Sequence, residues 1–297
     1  MTSLAQDTRS TVQARTAAPA PRPARMTPGR WAVWALLVGG ALIMAFPVYW
    51  ILVTAVTPGG QSQSGQFYLW PDEPTLGNFA EAFDSQPVGQ WIVNSLVIAG
   101  IGTAITVVVA LMAGYAFAKF SFRGRNLLFG AFLVTIVVPA QVTLVPSFLV
   151  VVNLGLVDTI WSVILPRAGD AIAIFIARQF MLKIPDAMLE AARIDGAGEL
   201  TIFRRIVLPM SGPLVGVLVI LAFMGKWNDF LWPLITLQGT ENLTLPVALS
   251  SMQSSGIFEN PWGPIMAIAF LSLLPLLVVF LVFQRTFVQG IASTGLK

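Results

Sequence analysis

Four ionisable side chains interrupt otherwise apolar stretches of this 297-residue chain: Arg167 and Asp170, then Lys226 and Asp229. Each pair is spaced i,i+3, a separation at which two residues share a helix face and can neutralise one another. A charge at mid-membrane costs at least about 2.5 kcal/mol, so these groups need a partner or water. The triplet Trp227-Asn228-Asp229 adds an aromatic face, an amide and a carboxylate, which together can pack on and hydrogen-bond a polar partner. A second concentration of charge is Glu190 to Pro209, EAARIDGAGELTIFRRIVLP. Its chemistry is that of docking. Met188, Leu189, Ala192, Ile202 and Phe203 can form an apolar centre, with Glu190, Arg193, Arg204 and Arg205 as a charged rim. Histidine and cysteine are absent, which removes the usual proton shuttle and the commonest metal ligand. No metal site is expected, and a membrane enzyme would have only scattered carboxylates to work with. No Gly-rich phosphate loop ending in Lys-Ser/Thr occurs.

The elements that position these residues follow from composition. The chain is 56% hydrophobic and 10% charged, against about 25% charged in soluble domains. A helix needs about 20 apolar residues to cross a bilayer. Six such segments are predicted, at 31–56, 91–118, 126–150, 159–181, 211–235 and 262–284. No alternating pattern suggests a barrel, so the expected fold is an all-α polytopic membrane protein. Residues 1–30, with five arginines and one acid, read as a disordered cytoplasmic tail. The apolar run that follows is too long for a signal peptide. Residues 31–286 form the transmembrane domain and 287–297 a C-terminal tail. The run GGQSQSGQ at 59–66 reads as flexible. Basic residues cluster before span one, between spans two and three, in 183–205 and at Arg285, whereas the other loops carry only acids. Both termini and the loop 183–209 are therefore expected in the cytoplasm.

Within that loop, Pro185 and Asp186 can open a short helix, and Asp195-Gly196 can end it. A second helix is predicted from Glu199 to Val207, broken by Pro209. Pro139 and Pro146 lie seven residues apart in span three, on one helix face, where each bends the helix. Asn94, Gln141 and Asn228 within spans suggest a wet or subunit-facing surface. At about 1.5 Å per residue, antiparallel spans four and five place Arg167 level with Asp229, and Asp170 level with Lys226. That predicts an interhelical charge network, with two self-paired helices as the alternative.

The pattern Glu190-Ala191-Ala192, Asp195-Gly196-Ala197 and Ile206-x-Leu208-Pro209 resembles the EAA loop of binding-protein-dependent ABC importers. Asn94-Ser95, Tyr115-Ala116-Phe117-Ala118, Arg178-Gln179-Phe180, Trp227 to Leu234 and the ending Gly290 to Lys297 are similar to the carbohydrate permease branch, in particular to the six-span subunit of maltose-type importers. The resemblance implies a type I importer fold in the cell membrane and no catalysis by this chain. It implies a second permease subunit, two ATPase subunits that hold ATP and Mg, and an external sugar-binding protein as partners, and no nucleic acid. It also implies that Glu190, Ala191, Ala192, Asp195, Gly196, Ala197, Phe203, Leu208 and Pro209 couple to the ATPase. Asn94, Arg167, Asp170, Lys226, Trp227, Asn228 and Asp229 are the candidates for the substrate pathway or its gate. The substrate implied is a sugar or oligosaccharide, or an anionic polyol such as glycerol 3-phosphate. An ion-coupled secondary transporter is the reading from another class; the four buried charges favour it, and the lack of a visible inverted repeat counts against it.

Overall fold

A computed structural model of the chain describes residues 28–59, 69–254 and 262–295. The tail expected over 1–30 and the flexible run expected over 59–66 lie almost wholly outside the described residues, as does the acid Glu259. Among the described residues every regular element is helical. The chain forms two compact units. The first ends at Pro47, and its described part is the opening of helix α1 (Pro28–Ala55), uncharged from Trp31 onward. The second unit, Val48–Lys297, holds the core and every candidate site residue described below.

Its axis is α3 (Val88–Lys119), 32 residues long and so about 48 Å at 1.5 Å per residue. Ahead of it lies α2 (Gly77–Ser85). The Asn78 amide of α2 donates to the Ala55 and Thr57 carbonyls at 2.9 and 2.8 Å, satisfying acceptors left open where α1 ends. Helices α7 (Ala171–Met181) and α11 (Gly212–Trp227) pack on α3, and α11 packs in turn on α14 (Trp262–Gly295). One core gathers Leu111, Tyr115, Ile174, Met181 and Leu218; another gathers Trp91, Phe223, Trp227 and Ile268.

Among the described residues, three helices are long and apolar enough to cross a membrane unbroken: Gly29–Ala55, Val88–Lys119 and Trp262–Gln284. Three further pairs of helices among the described residues, each bent at a short break, have the length and apolar composition of a broken span or a re-entrant loop, which gives up to six crossings if each pair is one span. The third predicted span is α4 (Arg125–Val137) and α5 (Ala140–Asn153), which meet at 107°. This is an elbow where a bent helix was expected. Val138 is extended (ψ 118), as a residue preceding proline prefers, whereas Pro146 is carried inside α5. The fourth span is α6 (Ile160–Ile164) with its 3-10 turn Leu165–Arg167, then α7, bent by 44°. The fifth, expected to reach residue 235, stops at Trp227; Leu231–Thr236 is a separate short helix, α12. Arg167, Asp170 and Asp229, expected within continuous helices, therefore stand at helix ends. Chain breaks expose backbone groups there that can meet a charge.

The other end of α3 is tied to the segment before α13 (Leu245–Ser254). The Trp91 indole donates to the Thr240 carbonyl (2.7 Å), and the Leu245 N–H donates to Ser95 Oγ (2.8 Å). Nearby, the Asp158 carboxylate accepts the Gln238 and Gly239 N–H groups at 2.8 and 3.0 Å. The Gly239 and then the Gln238 hydrogen bond hold its pKa below the usual carboxylate range.

Candidate functional site: a docking loop and a polar cavity

The loop between α7 and α11 starts with α8 (Asp186–Ile194), preceded by the extended Pro185. The Ala197 N–H bonds the Ala192 carbonyl and the Gly196 N–H bonds the Arg193 carbonyl, both at 3.0 Å, the paired bonds of a Schellman stop. Gly196 takes φ +83, a left-handed conformation that favours glycine. Next come α9 (Glu199–Ile202), a π-helical turn Phe203–Val207 and α10 (Leu208–Met210). Pro209 does not end the helix as expected; the chain turns at Ser211, by 79°, into α11. Proline lacks the N–H that would bond Arg205, and just before it the Leu208 N–H reaches back five residues, to Phe203, as in a π-bulge.

This loop has two faces. Leu189, Ile202 and Val207 are fully buried in the α3–α7 core, so Leu189 and Ile202 anchor the loop inward and are not part of the docking face expected of them. Two polar straps reinforce the anchor. Lys119 Nζ of α3 donates to the Ile184 carbonyl and to Asp186 Oδ1, both at 2.6 Å. Arg193 Nε meets Glu199 Oε1 at 2.7 Å, while the Tyr115 hydroxyl of α3 donates to Glu199 Oε2 at 3.1 Å. Glu199 thus joins α8, α9 and α3. Its carboxyl pKa is lowered, first by the Arg193 hydrogen bond and then by that of Tyr115; Lys119 lowers that of Asp186. The opposite face carries exposed Met188, Glu190 and Ala191, with Ile194 86% and Leu200 67% exposed. Ile194 and Leu200 were missed in the sequence. Their signal was an apolar residue on each side of a predicted turn.

The second feature is a cavity of about 570 Å³ between the α4–α5 elbow, the α6–α7 break and the end of α11, with Arg167, Asp170, Lys226 and Trp232 among its walls. Arg167 Nη1 meets Asp229 Oδ2 at 2.8 Å, the pairing expected from matched levels. Asp170 and Lys226 do not pair. Asp170 Oδ1 instead accepts the Ala173 N–H (3.0 Å) as the N-cap of α7. Lys226 Nζ donates to the Arg167 carbonyl (3.1 Å), which the break after the 3-10 turn frees. The Lys226 stem fills the notch at Gly102 of α3, where a Cβ would lie 2.7 Å from Lys226 Cδ. Trp227 stands apart from this group. It is buried, stacks on Phe223 at 5.6 Å and donates to the Ser272 carbonyl. Asn94 is also buried, donating to the Glu241 and Leu243 carbonyls and accepting from Gln90. Asn228 bonds its own helix at Met224. None of these three is among the residues lining the cavity; Asn94 and Trp227 are buried against backbone carbonyls elsewhere, and Asn228 is exposed.

Residues 106–293 match the family of binding-protein-dependent transport system inner membrane components. The chain belongs to that family. It is 34% identical over 260 residues to the arabinooligosaccharides transport system permease protein AraQ of Bacillus subtilis (strain 168), covering 86% of this chain and 92% of the relative. It is 33% identical over 265 residues to the sn-glycerol-3-phosphate transport system permease protein UgpE of Yersinia pestis bv. Antiqua (strain Antiqua), covering 87% and 94%. Its fold is similar (TM-score 0.78, 23% identity, 90% of this chain and 100% of the other) to a chain in the crystal structure of a bacterial ABC transporter involved in the import of the acidic polysaccharide alginate.

As a member of this permease family, the chain is a membrane component of a transport system. Both features above fall within residues 106–293. Of the other coupling candidates, Asp195 forms the C-cap of α8, and Ala192 and Ala197 pack partly against the core. Phe203 packs on Tyr115 with ring centroids 5.4 Å apart. Leu208 and Pro209 are exposed on α10.

Proposed function

We propose that this chain is the permease subunit of an ATP-driven ABC importer that takes up a sugar or oligosaccharide handed over by an external binding protein. It works with a second permease and two ATPase subunits, which hold ATP and Mg; this chain has no active site of its own. It lies in the cytoplasmic membrane with both termini and residues 183–209 inside. The observation that carries this reading is the two-faced loop, rigidly strapped to α3 on one side and presenting Glu190, Ile194 and Leu200 on the other. ATP binding closes the ATPase pair; α8 and α9 move with it, and the straps carry that displacement into α3 and α7, turning the cavity between outward and inward access. The decisive measurement is uptake by the assembled complex in proteoliposomes. Uptake should require ATP inside, survive collapse of ion gradients and be lost in Glu190→Ala with the complex still assembled. Uptake that follows an ion gradient without ATP would return the chain to the secondary-transporter reading.

Import of an anionic polyol such as glycerol 3-phosphate by the same machinery is a second reading. It is favoured by the likeness to the UgpE permease and by the two cations on the cavity wall.

A further inference from the structure

The four charges around the cavity are unevenly satisfied. Asp229 is held by Arg167 at 2.8 Å and is largely covered. Asp170 caps α7, where the N–H groups of the first turn and the positive end of the helix offset its charge. Lys226 has only a backbone carbonyl, at 3.1 Å, for its three N–H donors, and no carboxylate among the described residues forms an ion pair with it. The Gly102 notch fixes its stem against α3, so the ammonium is placed, not free to seek a partner elsewhere. Arg167 stands beside it with its side chain 42% exposed, leaving guanidinium donors beyond the one on Asp229. Trp232 on the same wall has its indole N–H committed to the Ser162 carbonyl at 2.9 Å, which locks its ring in place. The volume, about 570 Å³, lies within the range of sites for small ligands, roughly 300–1,000 Å³. Helix breaks provide it with backbone dipoles, as at ligand sites in other transporters.

We infer that this cavity is a subsite for the anionic group, carboxylate or phosphate, of a saccharide or polyol, with Lys226 as its counter-charge, Arg167 as second donor and Trp232 as the apolar wall. The assignment rests on the transport function proposed above. It gives the substrate a chemical class that the docking loop cannot supply. Asp170 on the same wall attracts Lys226 only from beyond ion-pair distance; the ligand's anion gives the ammonium a counter-charge in direct hydrogen-bond reach, and a neutral sugar leaves Lys226 as it is.

The test uses the importer complex purified with its partners through a tag on this chain, without the external binding protein, so that the membrane site alone is read. Calorimetry is done with glucuronic acid, glycerol 3-phosphate, glucose and maltose. The expected result is tighter binding of at least one anion than of the neutral sugars. Lys226→Gln should weaken the anions on the order of tenfold to a hundredfold, leave glucose and maltose unchanged, and be rescued by Lys226→Arg. Whether glucuronic acid or glycerol 3-phosphate suffers the larger loss separates a carboxylate from a phosphate ligand. If Lys226→Gln does not assemble, Gly102→Ala, which drives the lysine stem aside, should show the same selective loss. No anion preference in the wild type, or equal losses for charged and neutral probes, overturns the subsite. So does a variant that binds normally but, once reconstituted in proteoliposomes with the external binding protein, hydrolyses ATP without uptake, because Lys226 is then part of a gate. ATP-driven uptake of neutral maltose alongside any of these results leaves the transport function standing. Uptake of every probe without ATP removes that function, while the binding data still judge the subsite.

Discussion

Replacing Tyr115 by Phe deletes one oxygen and keeps the ring that packs on Phe120 and Phe203 at 5.3 and 5.4 Å. What is lost is the hydroxyl donor to Glu199, a bond of 3.1 Å that ties α9 to α3. A hydrogen bond to a charged acceptor contributes about 1.5–3 kcal/mol. Glu199 has its side chain 44% exposed and keeps Arg193, so solvent screening reduces the net value to about 1 kcal/mol. That is about fivefold in the balance between a docked and a loosened loop. In the assembled complex, amide exchange over 199–202 should accelerate about fivefold, uptake per ATP hydrolysed should fall, and ATPase activity should stay within about twofold. The pH dependence follows from Glu199, whose folded-state pKa lies below its unfolded value. Its contribution is complete above the ordinary glutamate range, near about 4.3, and disappears as pH falls through the lower folded value. The difference between Tyr115→Phe and wild type should therefore be the same at pH 7 and pH 6 and close only in acid. Unchanged exchange with an unchanged coupling ratio, or a parallel drop in hydrolysis and uptake, would refute the strap.

Gly196→Ala meets no atom within 4 Å, so its effect comes from the φ of +83 alone and should be about 1–2 kcal/mol; Gly196→Asn should cost less, and coupled uptake should fall in that order. Asp158→Ala removes an acceptor from two backbone N–H groups and places alanine at φ +61. Thermal unfolding of the complex should show a loss of about 2 kcal/mol, with Asp158→Asn recovering most of it. Double-variant cycles on ligand-free complex stability should be non-additive for Arg167→Gln with Asp229→Asn, by about 1 kcal/mol, and show a smaller coupling for Asp170→Asn with Lys226→Gln, which attract one another without an ion pair; the reverse order would contradict the observed pairing.

The turn at Gly196 could be read in advance because Asp-Gly after a charged amphipathic stretch has few other conformations. Which side of that loop faces inward could not. Leu189, Ile194, Leu200 and Ile202 are all apolar, and only the core around Ile174 and Leu218 selects Leu189 and Ile202. Pro139 signalled a bend, but its 107° depends on Val138 becoming extended as well, a local choice that packing completes. Asn94 and Trp227 looked like pathway residues because polar groups in a span call for partners. Their partners are the carbonyls of Glu241, Leu243 and Ser272, and carbonyls leave no mark on a sequence. Arg167 and Asp229 were matched by level, although the helices holding them end where continuous ones were expected.

The elbow at Pro139 bears on how this protein is made. Its two arms have 13 and 14 residues, about 20 Å each, and neither alone spans the roughly 30 Å of hydrocarbon. Where the two arms together make one crossing, a newly inserted chain holds a corner of open backbone at membrane depth, where lipid offers no hydrogen bonds. Val137, next to that corner, is 81% exposed. Until another subunit or a water-filled passage covers it, the chain presents the kind of defect that membrane quality control removes. Its lifetime in the cell should then track the supply of its partner rather than its own rate of synthesis, so that assembly sets the stoichiometry.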